Sequence, residues 1–163
     1  MTLTKSDNSK ERTHKKALDT ALRILTRRDH SKYELVQKLK QRRFSREDIE
    51  EAISFCDRFD YINDERTAQI YIRQLKRKRY GKKRIQFELN KKGLKGNRIQ
   101  NFLDQGVSET DERQGAERIL KKHVKRFERE KDVLKRQAKI YRFLHARGFC
   151  PAIIAEIVEK HRQ

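Results

Sequence analysis

Residues 84–103 read RIQFELNKKGLKGNRIQNFL, and the same pattern occurs twice more in the chain. Residues 34–53 (ELVQKLKQRRFSREDIEEAI) and residues 139–158 (KIYRFLHARGFCPAIIAEIV) align with it without a gap. Five apolar positions coincide in the three copies. These positions are Leu35, Ile85 and Ile140; Leu39, Leu89 and Leu144; Phe44, Leu94 and Phe149; Ile49, Ile99 and Ile154; and Ile53, Leu103 and Val158. The chain is therefore predicted to repeat one structural unit three times.

The spacing within a copy predicts two helices joined by a short corner. Ile85 and Leu89 lie four residues apart, on one helical face, and Ile99 and Leu103 repeat that spacing on a second helix. A further helix is predicted before each copy, so each unit has three helices.

Local helix patterns agree with this division. At the corner a helix often ends in a left-handed residue, and the corresponding residues are Arg43, Gly93 and Gly148. A serine followed three residues later by an acidic residue predicts a helix start. Such pairs are Ser31 with Glu34, Ser45 with Asp48, and Ser108 with Asp111.

The composition favours several small cores over one large core. Of the 163 residues, 34% are hydrophobic and 41% are charged, and the chain has only one proline and six glycines. We predict an all-α fold of three tandem three-helix repeats in an elongated, solenoid-like arrangement. The predicted divisions are a disordered tail (1–12), repeat 1 (13–59), repeat 2 (60–104), a linker (105–110) and repeat 3 (111–163).

The charge indicates a polyanionic partner. Lysine and arginine outnumber the acidic residues 43 to 24, and a formal charge of +19 favours nucleic acid, or a complex that contains it. A membrane surface is disfavoured because no segment approaches the length of a membrane-spanning apolar helix. Cys56 and Cys150 are isolated, and the first residues have no apolar segment for export. We therefore expect reduced thiols and a cytoplasmic protein.

No pattern indicates catalysis, a metal or a cofactor. The five histidines are scattered, and the motifs of zinc sites and phosphate-binding loops are missing. Asp57, Asp60 and Asp64 lack the glycine and distal glutamate of a calcium loop, so they are interpreted as solvated or capping residues. Cys150 precedes Pro151 at a predicted helix start, where a packed thiol is favoured over a nucleophile.

The basic run at residues 73–98 is the main candidate for binding. It contains twelve basic residues and one carboxylate, Glu88, whereas a solvated helix face usually mixes signs. The candidate anion contacts are Arg73, Arg77, Lys82, Lys83, Arg84, Lys91, Lys92 and Lys95. Phe87 lies between Lys83 and Lys91 at four-residue spacing and is predicted to point away from the core. It either stacks on a base, fills a pocket of a partner, or packs against a neighbouring repeat.

Four segments of the chain resemble the RecX family of bacterial recombination regulators. They are HSKYELVQKLKQRRF (30–44), DYINDERTAQIYI (60–72), YGKKRIQFELNKKGL (80–94) and FLHARGF (143–149). The resemblance covers about residues 15–160. The chain departs from the family pattern where Asp60 replaces a common glycine, Ala146 a frequent arginine, and Cys150-Pro151 a serine-led helix start.

The resemblance implies a non-enzymatic, cytoplasmic protein that binds the RecA recombinase, particularly its filament on single-stranded DNA. It implies inhibition of ATP hydrolysis, strand exchange and filament growth. We expect a monomer that contacts single- or double-stranded DNA directly or through the filament. A protein that coats DNA or RNA directly remains the alternative. Its binding should weaken steeply with salt, whereas an interface with an apolar anchor should keep its affinity.

Overall fold

The computed structural model describes the backbone of residues 5–161 and the side chains of residues 11–161. Within that part of the chain there are nine α-helices and no β-strand. The helices are α1 (Lys5–Leu25), α2 (Lys32–Gln41), α3 (Arg46–Arg58), α4 (Asp64–Arg77), α5 (Lys82–Lys91), α6 (Asn97–Gly106), α7 (Glu109–Glu128), α8 (Val133–Ala146) and α9 (Pro151–Lys160). The predicted all-α fold of three-helix units is confirmed. The elongated arrangement stays a prediction.

The aligned apolar positions form the cores of the repeats. All of them are buried except Phe44 and Val158, which are half-buried. Removal of this apolar surface from water is the main favourable contribution to folding. The four-residue spacing that predicted the helices therefore also predicted their buried sides.

The corners and helix starts follow the predicted pattern. Arg43, Gly93 and Gly148 adopt left-handed conformations, with φ of 61°, 73° and 79°. All three serine-led capping boxes are present. Asp60 is also left-handed, with φ of 54°, at the position where the family pattern favours glycine. Pro151 begins α9, where its missing N–H is not needed.

Two predicted boundaries differ from the structure. The predicted tail (1–12) is helical from Lys5 onward, and its first four residues lie outside the described part. Lysine, glutamate and arginine extend a helix well even without an apolar stripe, so this segment prolongs α1. In the predicted linker (105–110), only Val107 and Ser108 are non-helical, because α6 continues to Gly106.

The chain divides into two compact units. The first contains residues up to 67 together with 92–94, and the second contains residues 68–91 together with those from 95 onward. One cluster of buried apolar residues lies in the first unit, around α1, α2 and α3, and another lies in the second, around α7, α8 and α9. Both cysteines are free thiols. None of the described helices is long and apolar enough to cross a membrane.

In the first unit, the start of α2 contacts residues from the following repeat. The Ser31 hydroxyl donates to the Lys92 carbonyl at 2.5 Å, and the Lys32 N–H donates to a carboxylate oxygen of Asp64 at 2.8 Å. Gly93 lies so close to Tyr33 that an added Cβ would be 2.4 Å from the tyrosine Cβ. Two N-terminal groups of α2 thus have partners about thirty or sixty positions away in the sequence.

In the second unit, the start of α5 makes the corresponding contacts. The Gly81 N–H donates to the Arg147 carbonyl at 2.9 Å, and the Lys83 N–H donates to the Gly148 carbonyl at 3.1 Å. The buried Glu112 accepts from the Lys82 N–H at 3.4 Å. These contacts fix the start of α5, which carries most of the predicted binding residues, against the end of α8.

Candidate protein and nucleic-acid interface

Three of the predicted binding residues pair with carboxylates of the same unit. The Lys82 ammonium lies 2.9 Å from Asp104, and the Arg84 guanidinium lies 2.8 Å from Glu88. Lys92 forms a close ion pair with Glu34. These three cations have partners within the fold.

The pKa values of two carboxylates reflect this pairing. The hydrogen bond from Lys82 lowers the pKa of Asp104 below its usual value. Burial alone would raise the pKa of Glu34, but hydrogen bonds from Arg28, Lys92 and the Ser31 N–H outweigh it and lower the pKa to about 2. Glu34 therefore stays ionised at neutral pH and stabilises the start of α2.

The other six predicted residues are exposed. Lys83, Phe87 and Lys91 follow one another at four-residue spacing along α5, and we call them the α5 face. Phe87 is 52% exposed. The Lys91 ammonium lies 5.7 Å from the centre of its ring, and the Arg84 guanidinium lies 5.5 Å from it. The Phe87 ring therefore does not pack into a core. It is accessible to a partner, and the cations of Arg84 and Lys91 lie beside it. Arg73, Arg77 and Lys95 are exposed outside this face.

The structure also brings together a basic groove that the sequence did not predict. It belongs to the second unit, has a volume of about 570 Å³, and is lined by the end of α4, the corner after it, α7 and the end of α8. Its cations are Arg77, Lys78, Arg79, Arg118, Lys122 and Arg147. Arg77 was among the predicted residues, and Lys78 and Arg79 belong to the same basic run, whereas the other three cations come from segments that are far away in the sequence.

An exposed aromatic cluster in the first unit was also missed. Phe59 is 53% exposed, and its ring centre lies 4.6 Å from that of Phe55 and 6.3 Å from that of Tyr61. The Arg58 guanidinium lies 5.4 Å from the Phe59 ring. The DRFDY segment (57–61) contains this pattern of rings and a cation, and aromatic residues at a predicted helix end would have identified it.

The candidate metal and nucleophile positions have structural roles. Asp57 pairs with the Lys32 ammonium at 3.4 Å, Asp60 pairs with Arg66 at 3.2 Å, and Asp64 accepts from the Lys32 N–H. Cys150 precedes α9 and donates its N–H to Glu112 at 2.7 Å. Among the described residues, no cluster of histidine, cysteine, aspartate and glutamate is suited to hold a metal ion.

Together, the three-helix units and the basic surfaces define a basic helical repeat protein. The family models described as the first and second three-helix domains of RecX match residues 17–56 and 63–103. The chain belongs to the RecX family.

Curated relatives named regulatory protein RecX match most of the chain. The protein from Legionella pneumophila (strain Corby) is 36% identical over 89% of this chain and 94% of its own length. The Cronobacter sakazakii protein is 38% identical over 83% and 86% of the two chains, respectively. The crystal structure of RecX from Lactobacillus salivarius covers 92% of this chain and 97% of its own, with a TM-score of 0.79 and 24% identity. That likeness supports the fold.

Proposed function

We propose that this protein regulates the RecA recombinase without being an enzyme. It binds the RecA filament on single-stranded DNA and limits ATP hydrolysis, strand exchange and filament growth. Membership of the RecX family is the observation that carries this proposal, because the curated relatives of similar length are named regulatory proteins. The protein acts as a cytoplasmic monomer, and its two free thiols fit a reducing compartment.

The α5 face is the proposed contact with the filament. Binding energy at protein interfaces is concentrated in a few anchors, often aromatic, that enter pockets of the partner. Phe87 has the required exposure, and Lys83 and Lys91 stand on either side of it along the helix. The cations speed the approach to a DNA-containing filament, and the ring contributes contacts that are less sensitive to salt.

ATP hydrolysis by RecA on single-stranded DNA tests the proposal. We expect inhibition when this protein is present at far less than one copy per RecA, since a filament regulator acts on many protomers. DNA binding by this protein alone is measured in parallel at the same salt concentration. If hydrolysis falls only when there is enough protein to cover the DNA, the alternative of a DNA- or RNA-coating protein replaces this proposal.

Charge reversal on the α5 face tests the location of the contact. The variant Lys83→Glu with Lys91→Glu should inhibit RecA more weakly, since both lysines are exposed and no ion pair with another described residue would be lost. Lys15→Glu with Lys16→Glu changes the net charge equally on α1 and serves as the control. Equal loss in both variants would mean that net charge, and not the α5 face, governs inhibition.

Phe87→Ala tests the aromatic anchor. Phe59→Ala is its control, because Phe59 is equally exposed and also has a cation over its ring. We expect Phe87→Ala to raise the concentration needed for half-inhibition by about tenfold or more, which is typical of an interface anchor. If the two alanine variants inhibit alike, Phe87 is not that anchor.

A further inference from the structure

The basic groove differs from the rest of the charged surface because its cations lack carboxylate partners. In the described structure, Arg77, Lys78, Arg79, Arg118 and Lys122 form no ion pair. Nearby Lys76, which is not in the groove, pairs with Asp111 at 2.9 Å. The lining contains no acidic residue. Arg79 and Arg118 also line a small neighbouring cavity with Asp111 and Glu112, but neither forms an ion pair with a described residue there. A bound anion in the groove would reduce the mutual repulsion among its cations.

The remaining lining residues indicate which anion fits. Ile119 is buried, and His123 makes an edge contact with Phe143 at 5.3 Å between ring centres. The groove therefore has no exposed apolar anchor of the kind that a protein interface requires. Its six cations and its volume of about 570 Å³ exceed what a single phosphate group would occupy. A chain of phosphates fits this arrangement better than a protein surface or a single phosphate ion.

The geometry points to a second binding site: the basic groove takes the phosphodiester backbone of a nucleic-acid strand, through contacts that do not depend on base identity. The aromatic residue in the lining, His123, is half-buried in a T-shaped contact with Phe143, so the groove has no exposed aromatic face for stacking a base. Binding is therefore governed by the phosphates and depends strongly on salt. This site shares no residue with the α5 face and does not rest on the proposed regulation of RecA.

A second groove in the described structure provides a contrast. It lies in the first unit and is larger, at about 730 Å³, but its lining mixes Lys32, Lys40 and Arg46 with Glu50 and Asp57. Two carboxylates among the cations make it unfavourable for a polyanion. Volume alone therefore does not distinguish the proposed site, whereas the single sign of its charge does.

The corner residue Arg79 allows its guanidinium to be removed with little risk to the fold. It adopts a left-handed conformation with φ of 58°, which glycine tolerates better than arginine. Arg43 has the same type of conformation, with φ of 61°, in the first unit. Arg79→Gly and Arg43→Gly therefore remove the same charge from similar corners, and only the first removes it from the groove.

The test measures the binding of a labelled oligothymidylate of roughly 30 nucleotides over a range of salt concentrations, without recombinase. The groove variant combines Arg79→Gly, Arg118→Gln and Lys122→Gln, and the control combines Arg43→Gly, Lys15→Gln and Lys16→Gln. Each lost phosphate contact reduces the slope of log K against log salt by about 0.7 for single strands. We expect the groove variant to reduce it by about 2 and the control to leave it unchanged.

Four results would overturn the proposal, the last of which is a strong preference between two oligonucleotide sequences. The first is an unchanged slope in the groove variant while circular dichroism shows that it is folded. The second is an equal reduction in the control, which would assign binding to overall charge. The third is found in a competition experiment. It is that tripolyphosphate or polyglutamate displaces the labelled oligonucleotide as effectively as unlabelled oligonucleotide does, when the competitors are compared at equal total charge. Equal affinity for oligothymidylate and oligoadenylate would support backbone recognition, and a strong preference for one would contradict it.

Discussion

The close approach of α5 to the end of α8 predicts that Gly81→Ala destabilises the protein. A Cβ at residue 81 would lie 2.3 Å from both the Gly148 carbonyl oxygen and the Phe149 nitrogen, whereas ordinary contacts are 3.4–4 Å. Both obstructing atoms belong to the backbone, so no side chain can rotate away. The two helix ends must separate by about 1 Å to restore an ordinary contact.

This separation strains two hydrogen bonds as well as the packing. The bonds from Gly81 to Arg147 and from Lys83 to Gly148 each contribute about 1 kcal/mol. Overfilling a packed site costs about 1–3 kcal/mol. Allowing for partial relaxation, we expect the free energy of unfolding to fall by about 2–4 kcal/mol.

Urea unfolding followed by circular dichroism measures this change, and Gly115→Ala is the matched control. An added Cβ at Gly115 would lie 3.6 Å from the Phe149 ring, an ordinary distance, and alanine is the better residue inside α7. This control should be stabilised by about 0.5–1 kcal/mol. Hydrogen exchange should show faster exchange of the Lys83 amide only in Gly81→Ala. If Gly81→Ala is as stable as the wild type, the two helix ends do not approach each other in this way.

Two further predictions concern the repeat core and the start of α2. Leu89→Ala should lower the free energy of unfolding by about 2–5 kcal/mol, because Leu89 is buried in the middle repeat. The control Leu134→Ala, at a highly exposed position, should change it by less than about 0.5 kcal/mol; similar effects would contradict the core assignment. The Glu34 carboxylate should stabilise the protein by at most about 3 kcal/mol at neutral pH, since its pKa is about 2 in the fold and 4.5 without the fold. Because the pKa of Glu34 is lowered in the fold, its carboxylate stabilises the protein fully above pH 4.5, and this contribution is lost as the pH falls towards 2. The difference in unfolding free energy between the wild type and Glu34→Gln should therefore shrink over that range. A difference that does not change with pH would exclude this ionisation as its cause.

The features that the sequence predicted correctly depend on residues a few positions apart. The repeat pattern at Leu39, Leu89 and Leu144 identified buried helix faces, since four-residue spacing places side chains on one side of a helix. The serine-led starts were equally local. Gly93 and Gly148 indicated left-handed corners, whereas the left-handed conformation of Arg43 had only its alignment with them to suggest it, since arginine itself gives no such indication.

The partners of individual charges could not be predicted in this way. Spacing gave no reason to separate Lys82, which pairs with Asp104, from its exposed neighbour Lys83. Their environments depend on where α6 packs, which is a property of the folded chain. The basic groove was even harder to predict from the sequence, because Arg79 and Arg118 line the same groove only once α4 and α7 have folded together.

The matching contacts at the starts of α2 and α5 have a consequence for how such a protein can evolve. They combine main-chain N–H and carbonyl groups with three side chains, namely the Ser31 hydroxyl and the carboxylates of Asp64 and Glu112. Joints of this kind place few demands on the outward side chains nearby. The surfaces of the repeats can therefore diverge, so that one repeat carries an aromatic cluster, another a cationic face, and a third part of a basic groove. The contacts that join the repeats stay the same.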